Sequence, residues 1–147
     1  MMRVLLDTNV VLDYLLNRMP WADHAQVIWQ AHEAGRLNAH IAATTLTDIF
    51  YIVRKGLGLE LAWTGVHTCL DQLIVVGVDL PDLRSACSFS GRDFEDNLQL
   101  ACAVNIGAQY IITRDPAGFA DASIPIVSPE EMANHLRASA TPTQIQS

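Results

Sequence analysis

Short apolar segments alternate along this chain with longer segments in which apolar residues recur every three or four positions. The short segments predict buried strands, and the longer ones predict helices with one face turned to a core. The predicted strands are residues 3–6, 38–42, 74–78, 109–112 and 124–127. The predicted helices are residues 9–17, 22–34, 59–73, 82–89 and 129–137, with one more that ends at Lys55 and one that ends before Gly107.

Residues with capping chemistry indicate where several of these helices begin. Thr8 is expected to cap the first helix, and Asp93 is expected to cap the helix that ends before Gly107. The helix that ends at Lys55 is expected to begin at a cap on Thr44 or Thr45.

Strands that alternate with helices indicate a mostly parallel sheet, because neighbouring parallel strands need a crossover connection that is usually helical. We therefore predict an α/β fold, a three-layer α/β/α sandwich with a mostly parallel central sheet. Residues 1–137 are expected to form a single domain, and residues 138–147 a polar C-terminal tail.

The apolar content of the chain adds expectations about surface and location. Hydrophobic residues make up 50% of the 147 residues and the mean hydropathy is +0.21, which indicates a large core and favours a homodimer. No apolar run approaches the ~20 residues of a membrane-spanning helix, and no secretory signal is recognisable. We therefore expect a cytoplasmic protein with no membrane contact and with reduced cysteines.

Four aspartates are predicted to meet at one edge of the sheet, where ligands bind to open parallel sheets. Asp7 and Asp115 directly follow strands, while Asp48 and Asp96 lie in the first turns of helices. Four carboxylates in one cleft need a counter-charge, and the chain as a whole already carries a net charge of −7. A divalent metal ion supplies that charge. Mg²⁺ prefers such oxygen ligands together with phosphate oxygens, which points to phosphodiester chemistry.

Four segments, taken in order, resemble the PIN-domain nucleases and in particular their VapC-like branch. They are LLDTNVVLDYL at residues 5–15, TTLTDIFYIV at 44–53, DFEDNLQLACA at 93–103 and YIITRD at 110–115. The resemblance covers roughly residues 3–136. It implies dependence on Mg²⁺ or Mn²⁺, endonucleolytic hydrolysis of RNA and inhibition by a small antitoxin protein.

The resemblance also assigns site residues. The family's four acidic positions fall on Asp7, Asp48, Asp96 and Asp115, which it makes the catalytic and metal-binding residues. Many members carry glutamate at the second position. Asp48 is one methylene shorter, so its contact with a metal would run through water.

Each aspartate also has a structural interpretation. Asp7 and Asp96 could stabilise helix starts, and Asp115 precedes a proline and suits a turn. Asp48 lies opposite the apolar stripe of its helix, where solvated residues are found.

Nearby polar residues are expected to support the aspartates. Asn9 would orient Asp7 or solvate a helix start, and Thr113 would position a metal-bound water or pack at the strand end. Asp13 lies in very apolar sequence and is expected to pair with Arg18 or Arg54, the alternative being a further acidic group at the cleft.

Two other functions are compatible with this fold class. A phosphatase of the haloacid-dehalogenase type would use Asp7 as its nucleophile, but Asn9 lies where that class needs another aspartate. A non-catalytic module that binds nucleic acid or a protein partner is the other alternative. A dinucleotide-binding oxidoreductase is excluded, because no glycine-rich phosphate loop follows the first strand.

Overall fold

The computed structural model describes residues 1–140, which fold around one five-stranded parallel sheet with the strand order β3-β2-β1-β4-β5. The strands are β1 (Met2–Leu6), β2 (Leu37–Ala42), β3 (Ile74–Val76), β4 (Tyr110–Ile112) and β5 (Ile126–Val127). This arrangement confirms the α/β sandwich predicted from the sequence.

Seven α-helices and one short 3₁₀ helix connect and follow the strands within residues 1–140. The helices are α1 (Thr8–Leu15), α2 (Ala22–Glu33), α3 (Ala43–Leu57), α4 (Leu59–Gln72), α5 (Leu80–Ser88), α6 (Phe94–Asn105) and α7 (Pro129–Ala140). The 3₁₀ helix spans Pro116–Phe119 and follows β4.

Alternating side chains of β1 point into two separate cores, one on each face of the sheet. Val4 and Leu6 belong to a cluster with Trp29 of α2, whereas Leu5 belongs to a second cluster with Cys102 of α6. All of these side chains are buried. Because helices cover both faces, the strands have few polar positions, as is typical of parallel sheets.

The chain changes direction across the sheet beside β1. It runs outward from β1 through β2 to β3 and then returns to the other side of β1 as β4. The carboxyl ends of β1 and β4 are therefore neighbours at the switch point, the usual position of a ligand site in such folds. Asp7 follows β1 and Thr113 follows β4.

Two of the predicted helix caps are wrong. Asp7, not Thr8, is the N-cap of α1, because Asp7 is still extended (φ −69°, ψ 156°) and its side chain accepts a hydrogen bond from the Thr8 N–H. The helix α3 begins at Ala43, directly after β2, so Thr44 and Thr45 are already helical. The predicted cap at Asp93 is confirmed, since its carboxylate accepts a hydrogen bond from the Asp96 N–H (3.0 Å).

Two strands are shorter by two residues than their apolar sequence predicts, and β4 is shorter by one. β3 ends at Val76, which pairs with Ala42 at the end of β2, so no partner strand continues beyond it. β5 is confined to Ile126–Val127. Pro125 precedes it, and although its carbonyl accepts a bond from the Ile111 N–H, proline has no N–H to donate.

The last helix continues to Ala140, three residues beyond the predicted end at Arg137. The rest of the predicted tail, residues 141–147, lies outside the described residues. Within residues 1–140, no helix combines the length and the apolar character needed to cross a membrane.

The three cysteines are free thiols. Cys69 and Cys102 are buried, and burial raises the pKa of both thiols to about 11, with the charge of Asp82 adding to the shift of Cys102. Cys87 is exposed.

Candidate active site

Asp7 is buried at the switch point, with only 7% of its surface exposed, and four donors bind its carboxylate. Oδ1 accepts hydrogen bonds from the Thr8 N–H (2.7 Å) and from Gln99 Nε2 (2.9 Å). Oδ2 accepts hydrogen bonds from Thr113 Oγ1 (2.7 Å) and from Asn9 Nδ2 (3.4 Å). Such bonds stabilise an ionised carboxylate and fix its orientation.

Thr113 and Asn9 link the ends of β1 and β4 around this carboxylate. Besides donating to Asp7, Thr113 Oγ1 accepts a bond from the Asp115 N–H (2.9 Å). Asn9 Oδ1 accepts one from the Arg114 N–H (3.3 Å). Asn9 therefore contacts Asp7 as expected from the sequence. Thr113 was expected to position a metal-bound water or to pack at the strand end, and the structure adds its hydrogen bond to Asp7. The part of both residues in catalysis stays a prediction.

Two further carboxyl groups lie beside Asp7 and form a pair, Asp48 of α3 and Glu95 of α6. Both line the same cavity as Asp7, whose volume is about 470 Å³. A hydrogen bond shared with Asp48 raises the pKa of Glu95 to about 8, helped by burial and by the negative charges of Asp48, Asp93 and Asp7. Asp48 Oδ2 is buried without a hydrogen-bond partner among residues 1–140.

Asp96 lies at the start of α6 and faces the 3₁₀ helix. Burial raises its pKa to about 6, with further contributions from the charges of Asp7, Asp93 and Asp115. Its carboxylate lies so close to Gly118 that a Cβ at that position would be 2.2 Å from Asp96 Oδ2. Asp96 also lines a second cavity of about 320 Å³ between the α5–α6 loop and the 3₁₀ helix.

The structure therefore brings the predicted aspartates together unequally. Asp7 and Asp48 share one cavity, Asp96 lies in the neighbouring one, and Asp115 is exposed and lines neither. The charges of Asp7 and Asp115 nevertheless act on Asp96, so these three belong to one electrostatic site.

Within the described residues, no three Asp, Glu, His or Cys side chains already converge as a preassembled metal cage. A divalent cation still fits the donor set. Mg²⁺ keeps several waters and needs only one or two protein carboxylates. The pKa of Glu95 is raised first by its hydrogen bond with Asp48 and that of Asp96 first by burial, and the negative charges of neighbouring carboxylates, which a cation would offset, add to both shifts.

Sequence reasoning missed two site residues, Glu95 and Gln99. Glu95 lies beside Asp96 in the acidic sequence DFED, and this local charge was the available signal. Gln99 is 1% exposed in the middle of the apolar sequence LQLACA, and an isolated polar residue there indicates a buried partner. Its Oε1 is buried without a hydrogen-bond partner among the described groups.

The predicted ion pair of Asp13 is confirmed for Arg18, while Arg54 is replaced by Arg114. Asp13 Oδ1 lies 2.9 Å from Arg18 Nε, and Oδ2 lies 2.6 Å from Arg114 Nε. The second partner comes from a loop 101 residues away, which local spacing does not reveal.

The metal-free protein is expected to lose stability as the pH rises from about 5 to 8. Because the pKa values of Asp96 and Glu95 are raised to about 6 and about 8, the folded state holds these protons more tightly than the unfolded state. Their contribution is complete below the ordinary carboxyl pKa values and is lost as the pH rises through 6 and then 8.

Urea midpoints measured in EDTA at both ends of this range test the expectation. The glutamine side chain of Glu95→Gln does not titrate. The urea midpoint of this variant should therefore fall less between the two pH values than that of the wild type. Equal falls in the two proteins would show that Glu95 does not bind its proton in this way.

A sequence model of the family described as "PIN domain" matches residues 3–117. The chain belongs to the PIN-domain family. This match, which covers most of the chain, confirms the resemblance that the four sequence segments indicate.

Solved structures similar to this PIN domain include proteins from toxin–antitoxin complexes. A DNA-bound VapBC complex from Salmonella typhimurium is 18% identical, with 88% of this chain and 99% of that chain covered and a TM-score of 0.67. VapC20 from Mycobacterium tuberculosis, described as a toxin that cleaves the sarcin-ricin loop, is 14% identical, with 82% and 95% covered and a TM-score of 0.68. A toxin–antitoxin complex from Klebsiella pneumoniae is 20% identical, with 86% and 97% covered and a TM-score of 0.64.

No curated protein matches this PIN domain by sequence. At the identities of the solved structures, the likeness bears on the fold alone.

Proposed function

We propose that this PIN domain is an endoribonuclease that hydrolyses RNA phosphodiester bonds with Mg²⁺ or Mn²⁺. The observation that carries the proposal is the cluster of carboxyl groups around Asp7. In this cluster a hydrogen bond with Asp48 raises the pKa of Glu95 and burial raises that of Asp96, with neighbouring negative charges adding to both shifts. Such a cluster at the switch point of a parallel sheet suits a divalent cation and the phosphate that the cation binds. The similar VapC20 is described as a toxin that cleaves the sarcin-ricin loop.

Asp7 and Asp96 are the residues that would hold the cation most directly, with Asp48 and Asp115 acting through water. When bound, the cation supplies Lewis-acid stabilisation of the phosphate and lowers the pKa of a water molecule that attacks it. Thr113 and Gln99 keep the Asp7 carboxylate in one orientation. The Asp48–Glu95 pair holds a proton near neutral pH and is placed to exchange it with the attacking water or the leaving oxygen.

The proposal includes a small antitoxin partner. The VapBC, FitAB and Klebsiella pneumoniae structures are described as complexes or toxin–antitoxin pairs. On this chain, an apolar groove of about 290 Å³ runs between α1, α3 and α4, and its lining includes Leu15, Leu57 and Leu61. Leu57 and Leu61 are at least half exposed, which suits a partner helix.

A homodimer and a cytoplasmic location complete the proposal. Exposed apolar side chains of α3 and α4 that lie outside this groove, among them Tyr51, Ile52 and Trp63, are candidates for contact with a second copy. Light scattering after gel filtration tests the dimer, which should have twice the 16.1 kDa mass of one chain. A mass of one chain at micromolar concentration would argue against it.

The test of the enzymatic proposal is cleavage of a panel of labelled RNAs by the purified protein in Mg²⁺, Mn²⁺ or EDTA. Cleavage is expected with either metal and absent in EDTA, and a DNA panel measures the preference for RNA. Intact RNA under every condition would instead favour the non-catalytic module. The phosphatase alternative has little support from the site, because Asn9 offers an amide to Asp7 where a second carboxylate is needed.

Gly118→Ala is expected to lower the rate of RNA cleavage by about 10- to 100-fold, because a misplacement of about 1 Å at a catalytic group costs this much. The new methyl group would lie 2.2 Å from Asp96 Oδ2, so the carboxylate must move. The matched control is Gly56→Ala in α3, where a Cβ meets nothing within 4 Å. Initial rates and melting temperatures of both variants check the prediction. Equal rates for Gly118→Ala and wild type would show that the position of Asp96 is not critical.

A further inference from the structure

A fully buried aspartate holds two arginines at the wall of the active-site cavity. Asp13 is 0% exposed and pairs with Arg18 Nε at 2.9 Å and with Arg114 Nε at 2.6 Å. Arg114 also donates from Nη2 to Asp13 Oδ1 (3.2 Å), so its guanidinium binds the carboxylate at two points. The side chains of Arg18 and Arg114 remain 35% and 25% exposed.

Further contacts fix the planes of both guanidinium groups. Arg18 Nη2 donates to the carbonyl oxygen of Asn9 (3.3 Å). The Arg114 guanidinium carbon lies 3.9 Å from the ring centre of Trp21, in a cation–π contact. Such arginines are already oriented for a ligand and lose little conformational entropy when they bind it.

The group formed by Asp13, Arg18 and Arg114 has a net positive charge and unused hydrogen-bond donors. One aspartate neutralises one of the two arginines, so the group keeps a net charge of +1. Within residues 1–140, neither Nη1 group donates to a protein acceptor. Both arginines line the cavity that holds Asp7, and they are the cationic side chains in its lining.

The arginines do not pair with the carboxyl groups of the site. Among the described residues their ion pairs are with Asp13, although Asp7, Asp48 and Glu95 line the same cavity. Asp13 thus keeps two cations beside the carboxylate cluster without letting them neutralise it. A ligand that uses both halves of this cavity must combine a group bound through the carboxylates with a separate anion.

We propose that Arg18 and Arg114 form a second phosphate subsite, which binds a phosphate of the RNA strand other than the one being hydrolysed. The inference rests on the proposed nuclease function. An RNA strand fits the cavity because its phosphates repeat at every nucleotide, so one phosphate at the carboxylates brings the next toward the arginines. Guanidinium groups match phosphate oxygens in geometry and charge. Asp13 is the positioning residue of this subsite.

Binding of RNA at different salt concentrations tests the subsite without catalysis. A short labelled single-stranded RNA is titrated with wild type, Arg18→Gln, Arg114→Gln and the double variant in EDTA, by fluorescence anisotropy. The logarithm of the association constant K falls linearly with the logarithm of the salt concentration, and removing one arginine–phosphate ion pair should make this slope shallower by about 0.7. Arg114→Lys keeps the charge and should keep most of the slope. Arg3→Gln, at the amino end of β1 and opposite the site, is the matched control and should leave the slope unchanged.

Cleavage of RNAs with single uncharged methylphosphonate linkages then locates the phosphate. In Mg²⁺, neutralising one linkage beside the cleavage point should raise KM about tenfold for wild type and less than about twofold for the double variant. Failure of wild type to cut any RNA would refute the nuclease proposal, while the salt slopes still test the subsite.

Two results with the double variant would overturn the inference. If the folded double variant loses melting temperature but keeps the salt slope and the full methylphosphonate effect of the wild type, the arginines do not bind RNA and the ion-pair group is structural. If the slope is unchanged but an acidic peptide loses its binding in the double variant, the arginines bind a protein partner instead.

Discussion

Asp7→Asn is expected to abolish metal-dependent cleavage of RNA, with a loss of at least about a thousandfold, equivalent to ~4 kcal/mol of transition-state stabilisation. The substitution keeps the shape of the side chain but removes the charge that would bind the cation. It also places an amide NH₂ among four hydrogen-bond donors, so the protein should lose about 1–3 kcal/mol of stability.

The comparison that isolates catalysis is Asp71→Asn, an exposed aspartate on α4 that lines neither cavity of the site. Both variants are assayed on the same RNA in Mg²⁺ and Mn²⁺, after circular dichroism has shown that each is folded. Asp71→Asn should cleave like the wild type. Comparable cleavage by folded Asp7→Asn would remove Asp7 from the catalytic machinery.

Asp13→Asn is expected to cost about 3 kcal/mol of stability, near the lower end of the range for breaking a buried ion pair. Asparagine leaves both arginines without their counter-charge, but their side chains are 35% and 25% exposed and can recover part of their hydration. Arg18→Gln should cost only about 1 kcal/mol, because Arg114 still pairs with Asp13 at two points.

Urea unfolding at neutral pH measures both losses. The informative quantity is the difference between the two variants, since each removes one charge from the same group. A loss for Asp13→Asn no greater than that for Arg18→Gln would show that the buried carboxylate contributes little beyond one surface ion pair.

The sheet was predictable because its strands are apolar enough to be recognised one at a time. The same alternation places Asp7 directly after β1, and the switch-point rule then locates the site. The helix starts were harder to predict. Thr44 and Thr45 have capping chemistry, but β2 runs into α3 without a loop, so the helix begins before them.

The support around Asp7 was less predictable, because its contacts join distant segments. Gln99 and Thr113 reach Asp7 across 92 and 106 residues, and Arg114 reaches Asp13 across 101. Glu95 and Asp96 are neighbours in sequence, yet α6 turns one toward Asp48 and the other toward Gly118. Local spacing carries no information about such pairings, which depend on how the strands are ordered.

The distance in sequence between Asp7 and its supports has a consequence for synthesis of the chain on the ribosome. Chains emerge from the amino end, so Asp7 leaves the exit tunnel long before Gln99 and Thr113. Until β4 is added beside β1, the carboxylate has neither its orientation nor half of its donors. The proposed cleavage of RNA therefore requires that β4 has already emerged from the ribosome and paired with β1.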